Sequence, residues 1–182
     1  MSSTKHGYIV HEGCDHVFFI GFLGAGKTTL ARNLGKLFGR RYCDTDRLAE
    51  RILKKPIDKV FAEDGEEVFR DAETNALRRL KQKKSLLVSC GGGIIERPEN
   101  IALMQEMGVI VFLDGELEDS LSQIRYFKSR PDFSNLEEAK ALYEHRYPLY
   151  QCAADYTISI TDKDFNDVAQ SAGALLWEEG LL

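Results

Sequence analysis

A chain of 182 residues, 43% of them hydrophobic, is long enough for one domain with a full core, and its net charge of −5 argues against nucleic acid or an anionic membrane as the main partner. No apolar run approaches the ~20 residues that a membrane-spanning helix needs, and the N-terminus, interrupted by His6, His11, Glu12 and Asp15, has neither the apolar core of a secretory signal nor the character of a transit peptide. Cys14, Cys43, Cys90 and Cys152 lie far apart without a C-x-x-C pair, which excludes the common zinc and dithiol spacings and leaves reduced thiols in a cytoplasmic protein as the simplest expectation.

Residues 1 to about 14 show no strong period and are expected to form an extension ahead of a single domain at 15–182. His16-Val17-Phe18-Phe19-Ile20 is a short apolar run, as a buried strand should be. Gly21-Phe22-Leu23-Gly24-Ala25-Gly26-Lys27-Thr28 follows it and fits the pattern G-x-x-x-x-G-K-[ST]. Leu30, Leu34, Leu37 and Phe38 then recur at helical spacing between Thr29 and Phe38. Strand, glycine loop, helix is the setting in which this pattern cradles phosphate. The glycines let successive N–H groups turn into one cavity, and the helix start adds its own free N–H groups and positive dipole end. Gly24, Ala25, Gly26, Lys27, Thr28 and Thr29 are the expected nucleotide contacts, with Lys27 reaching the β/γ-phosphates and Thr28 a Mg²⁺ ion.

Arg40 to Asp46 reads as a strand ending in acids, and Leu48, Ile52 and Leu53 as a helix that Pro56 interrupts. A short helix from Ile57 stops at Asp64-Gly65. A longer one follows, with Glu66 and Glu67 in its first turn and Arg78, Arg79 and Lys81 near its end, as the helix dipole prefers. Ser85 to Ser89 is a further strand, running through Cys90, which reads either as a buried and inert thiol or as one whose alkylation would block a site at the glycines, into Gly91-Gly92-Gly93. Pro98 opens a helix that Gly108 closes, and Val109 to Leu113 is a strand. Leu117 to Arg125 reads as helix, Ser129 to Asn135 as a polar loop, and Glu137 to Tyr150 as helix. Tyr156 to Ile160 is the last strand, and Phe165 to Trp177 the last helix. Apolar strands alternating with helices imply a parallel sheet covered on both faces, with ligands beyond the carboxyl ends of its strands. The phosphate loop, Asp44 and Asp46, and the triple glycine all fall at such ends.

Asp44 and Asp46 are two apart on the expected strand and so face the same way, while Arg70 and Glu73 are three apart on a helix and in register to pair. Arg130 precedes Pro131 in the polar loop, and Arg146 precedes Tyr147-Pro148-Leu149-Tyr150. Each has a plain structural alternative: acids at strand ends cap helices, and arginine stems cover apolar surface.

Taken together, Gly-x-x-Gly-x-Gly-Lys-Thr, Asp44-x-Asp46, Gly65-Glu66-x-x-Phe69-Arg70-x-x-Glu73, Gly91-Gly92-Gly93, Arg130-Pro131 and Arg146-x-Pro148-Leu149-Tyr150-x-x-x-Ala154 resemble the shikimate kinases, in order, from about His16 to Val168. The resemblance implies a P-loop three-layer α/β/α fold of the nucleoside-monophosphate-kinase type. Its five-stranded parallel sheet would have the order 2-3-1-4-5, with a short lid at about 125–136. It implies ATP-dependent phosphorylation of the 3-hydroxyl of shikimate, in aromatic amino-acid (chorismate) biosynthesis, by a cytoplasmic protein expected to be a monomer. Arg70 and Arg146 would hold the substrate carboxylate, Glu73 would orient Arg70, and Gly91, Gly92 and Gly93 would line the ring. Asp46 would grip the ring hydroxyls and take the proton of the attacking one. Asp44 would join Thr28 at Mg²⁺, since the strand at Ser89 ends without the aspartate usual at a second metal motif. Arg130 would bring charge to the γ-phosphate from the lid, with Arg125 and Lys163 near the nucleotide. Asp132-Phe133 stands where the family has two leucines, and the lid segment is shorter than usual. A gluconate kinase of similar build, or a non-catalytic relative that senses a ligand, are the competing readings. The arginine pair with Asp46 favours shikimate, which carries a carboxylate as well as hydroxyls.

Overall fold

The computed structural model describes residues 2–5, 8–11, 14–118 and 135–182, with side chains from Cys14 onward. Strand β1 (Ser2–Lys5) pairs antiparallel with β2 (Tyr8–His11) in a two-stranded sheet of its own, where the sequence shows no strong period. The main sheet holds β3 (His16–Ile20), β4 (Tyr42–Asp44), β5 (Leu87–Ser89), β6 (Gly108–Asp114) and β7 (Tyr156–Ser159). All pairings are parallel, in the order β4-β5-β3-β6-β7, which is 2-3-1-4-5 counted from β3, as expected.

The alternation of side chains along β3 decides which helices pack where. Phe18 and Ile20 face helices α4 (Glu66–Leu80), α5 (Pro98–Met107) and α6 (Leu136–Ala153), meeting Leu77, Met104 and Tyr150. Val17 and Phe19 face α1 (Lys27–Leu37) and α7 (Phe165–Glu178), meeting Leu34 and Leu176. Residues 17–20 are all at 0% exposure, so β3 is buried from both sides, and burying each such large side chain is worth roughly 1.5–3 kcal/mol. A third, smaller cluster of Ala49, Val60, Phe69 and Ala72 packs α2 (Thr45–Leu53) and α3 (Ile57–Glu63) onto α4. That cluster holds the helix carrying Arg70 beside the sheet edge.

Several boundaries differ from the sequence reading by a few residues, and those beside the phosphate loop and Asp44 bear on the site. The strand expected over Arg40 to Asp46 is only Tyr42–Asp44, and α2 begins at Thr45. Asp44 is therefore the cap of α2, its carboxylate accepting the N–H groups of Asp46 and Arg47, and Asp46 lies in the first helical turn. The two acids are not on one strand face; the chain turns a corner between them. Helix α1 also starts at Lys27 rather than Thr29. Most of the helix expected from Leu117, and the lid with Arg125, Arg130, Pro131, Asp132 and Phe133, lies outside the described residues.

Candidate active site

The phosphate loop leaves β3 at Ile20 and enters α1 at Lys27. Gly24 and Gly26 take φ of 84° and 81°, a left-handed backbone that side chains rarely adopt. This is what aims the loop's backbone into the cavity. Lys27 is buried, and its Nζ donates to the carbonyls of Gly21 (2.7 Å) and Phe22 (2.8 Å). Burial brings its ammonium down to about 8, against the pull of the Asp46 and Asp44 carboxylates. A cavity of about 530 Å³ runs from Gly24, Gly26 and Thr29 to Asp162, Lys163 and Phe165, beyond the end of β7. It lies beyond the carboxyl ends of the strands, where such sheets bind ligands.

A second cavity, of about 310 Å³, joins the loop to β4 and β5, with Lys27, Thr28, Asp44, Asp46, Ser89 and Gly92 among its lining. Thr28 Oγ1 donates to Asp44 Oδ2 at 2.9 Å and lies 2.8 Å from Ser89 Oγ. These are three hard oxygen donors beside a phosphate loop. Such a set fits Mg²⁺, which takes one or two carboxylates, phosphate oxygens and water rather than a full cage of side chains. Among the described residues no group of three or more His, Cys, Asp or Glu could hold a metal by itself.

The third cavity, of about 430 Å³, contains the two arginines. Arg70 is 4% exposed: Nε and Nη2 donate to Glu66 Oε1 at 3.1 and 2.9 Å, and Nη1 to Glu73 Oε2 at 3.0 Å. Burial works against its charge, but Glu73 and Glu66 more than offset this and raise its pKa. Arg146 is 2% exposed, and its Nε donates to Glu96 Oε1 at 2.7 Å. Charged guanidinium groups buried beside carboxylates, lining one cavity, form a receptor for a planar anion.

The triple glycine holds the second and third cavities together. A Cβ at Gly91 would sit 2.1 Å from Asp46 Oδ1, and one at Gly93 2.3 Å from Arg70 Nη1. The Arg70 guanidinium is anchored by Glu66 and Glu73, so the close approach at Gly93 requires a glycine, while at Gly91 a side chain would displace the Asp46 carboxylate. At Gly92 a Cβ would make ordinary contact, 3.5 Å from Arg146 Nη1. The main chain of residue 91 is fixed by Thr45, whose Oγ1 accepts its N–H at 2.9 Å, and that of residue 92 by Tyr150, whose hydroxyl donates to its carbonyl at 2.6 Å.

Thus the loop residues Gly24 to Thr29, Asp44, Asp46, Arg70, Glu73, Gly91 to Gly93, Arg146 and Lys163 line or adjoin three cavities near the carboxyl ends of the strands, while Arg125 and Arg130 lie outside the described residues. Glu66, Glu96, Ser89, Thr45 and Tyr150 are site residues that the sequence reading missed. Glu66 was legible, being four residues before Arg70 on a helix. Glu96 lies in a single 3₁₀ turn, Ile94–Glu96, which leaves no periodic signal. Cys90 is 2% exposed with its Sγ 3.9 Å from Met104 Sδ, it is among the residues lining the second cavity, and burial pushes its thiol well up, which favours an unreactive thiol.

A phosphate cradle with an arginine-lined cavity next to it suits a kinase for a small acidic acceptor, and the sheet order places the chain among the P-loop kinases. Comparison with known proteins makes this specific. A model of the shikimate kinase family matches residues 23–176. The chain is 33% identical over 158 residues to the shikimate kinase of Dehalococcoides mccartyi, covering 86% of this chain and 90% of that protein. It is 35% identical over 162 residues to that of Acinetobacter baumannii, covering 87% and 90%. The solved structure of shikimate kinase from Acinetobacter baumannii in complex with shikimate superposes with a TM-score of 0.84 at 32% identity, over 92% of this chain and 95% of that one. The chain belongs to the shikimate kinase family.

Proposed function

We propose that this protein transfers the γ-phosphoryl group of ATP to the 3-hydroxyl of shikimate, giving shikimate 3-phosphate and ADP, a step in aromatic amino-acid (chorismate) biosynthesis. The observation that carries this reading is the pair of buried arginines, Arg70 and Arg146, in one cavity, with Arg146 Nη1 close to Gly92 of the phosphate-loop cavity. The arginine pair would suit the carboxylate of gluconate as well, and it is the match to the shikimate kinase family that favours shikimate.

The division of labour follows from distance and charge. Gly24 to Thr29 and the α1 N-terminus hold the phosphates, and Lys27 moves from the loop carbonyls of Gly21 and Phe22 onto the β/γ-phosphates. Lys163, which lines the far side of the nucleotide cavity, would contact the nucleotide. Thr28 and Asp44 would hold Mg²⁺, directly or through water, and the ion supplies charge neutralisation at the β- and γ-oxygens. Arg70, kept in orientation by Glu66 and Glu73, and Arg146 take the shikimate carboxylate by guanidinium hydrogen bonds. The ring lies over Gly92, flanked by Gly91 and Gly93, with its hydroxyls towards Asp46, which accepts the proton of the attacking one. Phosphoryl transfer needs positioning and charge stabilisation above all, and Arg130 and Arg125 are assigned to the closing lid on the family resemblance. Among the described residues no helix is long and apolar enough to cross a membrane. A cytoplasmic monomer completes the reading.

The test is product identification. With ATP, Mg²⁺ and shikimate the chain should yield one phosphorylated product, and proton–phosphorus coupling should place the phosphate on the 3-hydroxyl. Phosphate on another hydroxyl would overturn the assigned pose.

A further inference from the structure

Arg70 is oriented by two glutamates of its own helix, and Arg146 meets a carboxylate from elsewhere in the chain. The carboxylate that meets its Nε comes from the 3₁₀ turn directly after the triple glycine, 50 residues away in sequence. We propose that Glu96 is the positioning residue of Arg146: it fixes the guanidinium of α6 relative to the glycine segment, and so sets the site's affinity for the substrate carboxylate.

Three observations support this. The contact is short, at 2.7 Å to Nε, and Arg146 is 2% exposed, so its charge has little water to fall back on. Most solvent-exposed ion pairs contribute little, but a buried guanidinium depends on the carboxylate that holds it. Nη1 of the same group faces Gly92, which lines the neighbouring cavity; the hold at Nε thus sets which edge of the guanidinium faces the acceptor. The backbone around Glu96 is itself registered against α6. Tyr150, one turn beyond Arg146, donates to the carbonyl of Gly92 at 2.6 Å, so α6 and residues 92–96 are tied at two points one helical turn apart.

Glu96 Oε2 also lies 2.9 Å from Nε2 of the exposed His145. With one oxygen on Arg146 and the other on His145, the carboxylate cannot rotate freely. Burial of the carboxyl raises its pKa, but hydrogen bonds from Arg146 and His145 outweigh this and keep it below its ordinary value, so Glu96 is ionised at neutral pH. Residues 91–96 thereby touch all three groups assigned to the acceptor: Gly91 admits Asp46, Gly93 admits Arg70, and Glu96 holds Arg146.

The inference rests on the reading of Arg146 as a carboxylate ligand, and the experiment separates the two. Glu96→Gln, Glu96→Ala, Arg146→Ala and the double variant Glu96→Ala with Arg146→Ala are compared by steady-state kinetics, varying shikimate at saturating ATP, with shikimate binding measured by calorimetry. Arg146→Ala should raise the KM for shikimate by at least roughly tenfold, the order of a lost charge-assisted hydrogen bond. Glu96→Ala should raise it by roughly the same order, Glu96→Gln by less, and both should change KM more than kcat. In the double variant the loss of Glu96 should add nothing further, because its effect passes through the arginine. If Arg146→Ala weakens binding and Glu96→Ala does not, or if Glu96→Ala tightens it, the positioning role is wrong and the functional reading stands. If Arg146→Ala itself leaves binding intact, the carboxylate assignment fails and this inference with it.

Discussion

At the scale of single residues, the site consists of charges that the fold keeps dry. Lys27 is the clearest case: burial lowers its pKa to about 8, and its hydrogen bonds to Gly21 and Phe22 hold the ammonium at the mouth of the phosphate loop. Lys27→Ala should leave the fold intact and lower kcat by orders of magnitude, because a preorganised cation in a water-poor site stabilises charge that develops on the phosphoryl oxygens. Circular dichroism and turnover of the variant check this; near-normal turnover in a folded variant would remove Lys27 from the mechanism. A second case is Gly93. A methyl group there collides with the Arg70 guanidinium, and Gly93→Ala should raise the KM for shikimate at least roughly tenfold while the KM for ATP changes little, since the collision displaces a charge-assisted contact. Equal loss at both substrates would mean that the substitution has disturbed the sheet end as a whole.

At the scale of elements, the site is set by where strands stop. β4 ends at Asp44 and β5 at Ser89, and the chain turns directly into α2 and into the glycine segment. Much of this was legible in the sequence. The apolar runs, the phosphate-loop pattern, Gly65 before α4, and Pro98 and Gly108 around α5 place most elements to within a few residues. The corner at Asp44 was not legible, because Asp44-Thr45-Asp46 suits a strand end and a helix cap equally well. The cap won because the carboxylate accepts two N–H groups that α2 would otherwise leave unsatisfied. Glu96 was not legible either. A single 3₁₀ turn carries no period, and the pair it makes spans 50 residues and is decided by tertiary packing. The hairpin of β1 and β2 was missed because its four-residue strands are too short for alternation to stand out.

At the scale of the whole molecule, one buried histidine ties the sheet to the end of α4. His16 begins β3; its Nδ1 accepts the N–H of Leu86 at 3.1 Å and its Nε2 donates to the carbonyl of Leu80 at 3.1 Å. Only the neutral ring with the proton on Nε2 satisfies both, and burial lowers its pKa accordingly. The sign follows: the unfolded chain binds a proton more readily than the folded one, so stability is full above the unfolded value of about 6.5 and is lost as pH falls through the folded pKa. Thermal unfolding between about pH 7.5 and pH 5.5 should show the melting temperature of the natural protein falling more steeply than that of His16→Gln, which lacks this buried imidazole and keeps the other three histidines. Parallel curves would show that His16 is not the source of the pH dependence.

The same scale holds the central claim: the three cavities around one sheet bring ATP and a small hydroxylated acid together for phosphoryl transfer. Coupled ADP release with ATP and Mg²⁺ tests it most directly, measured with shikimate, with gluconate and with no acceptor. ADP release that depends on shikimate, with gluconate no better than the acceptor-free control, is the result predicted. Turnover on gluconate comparable to that on shikimate, or no shikimate-dependent release from a folded protein, would contradict it.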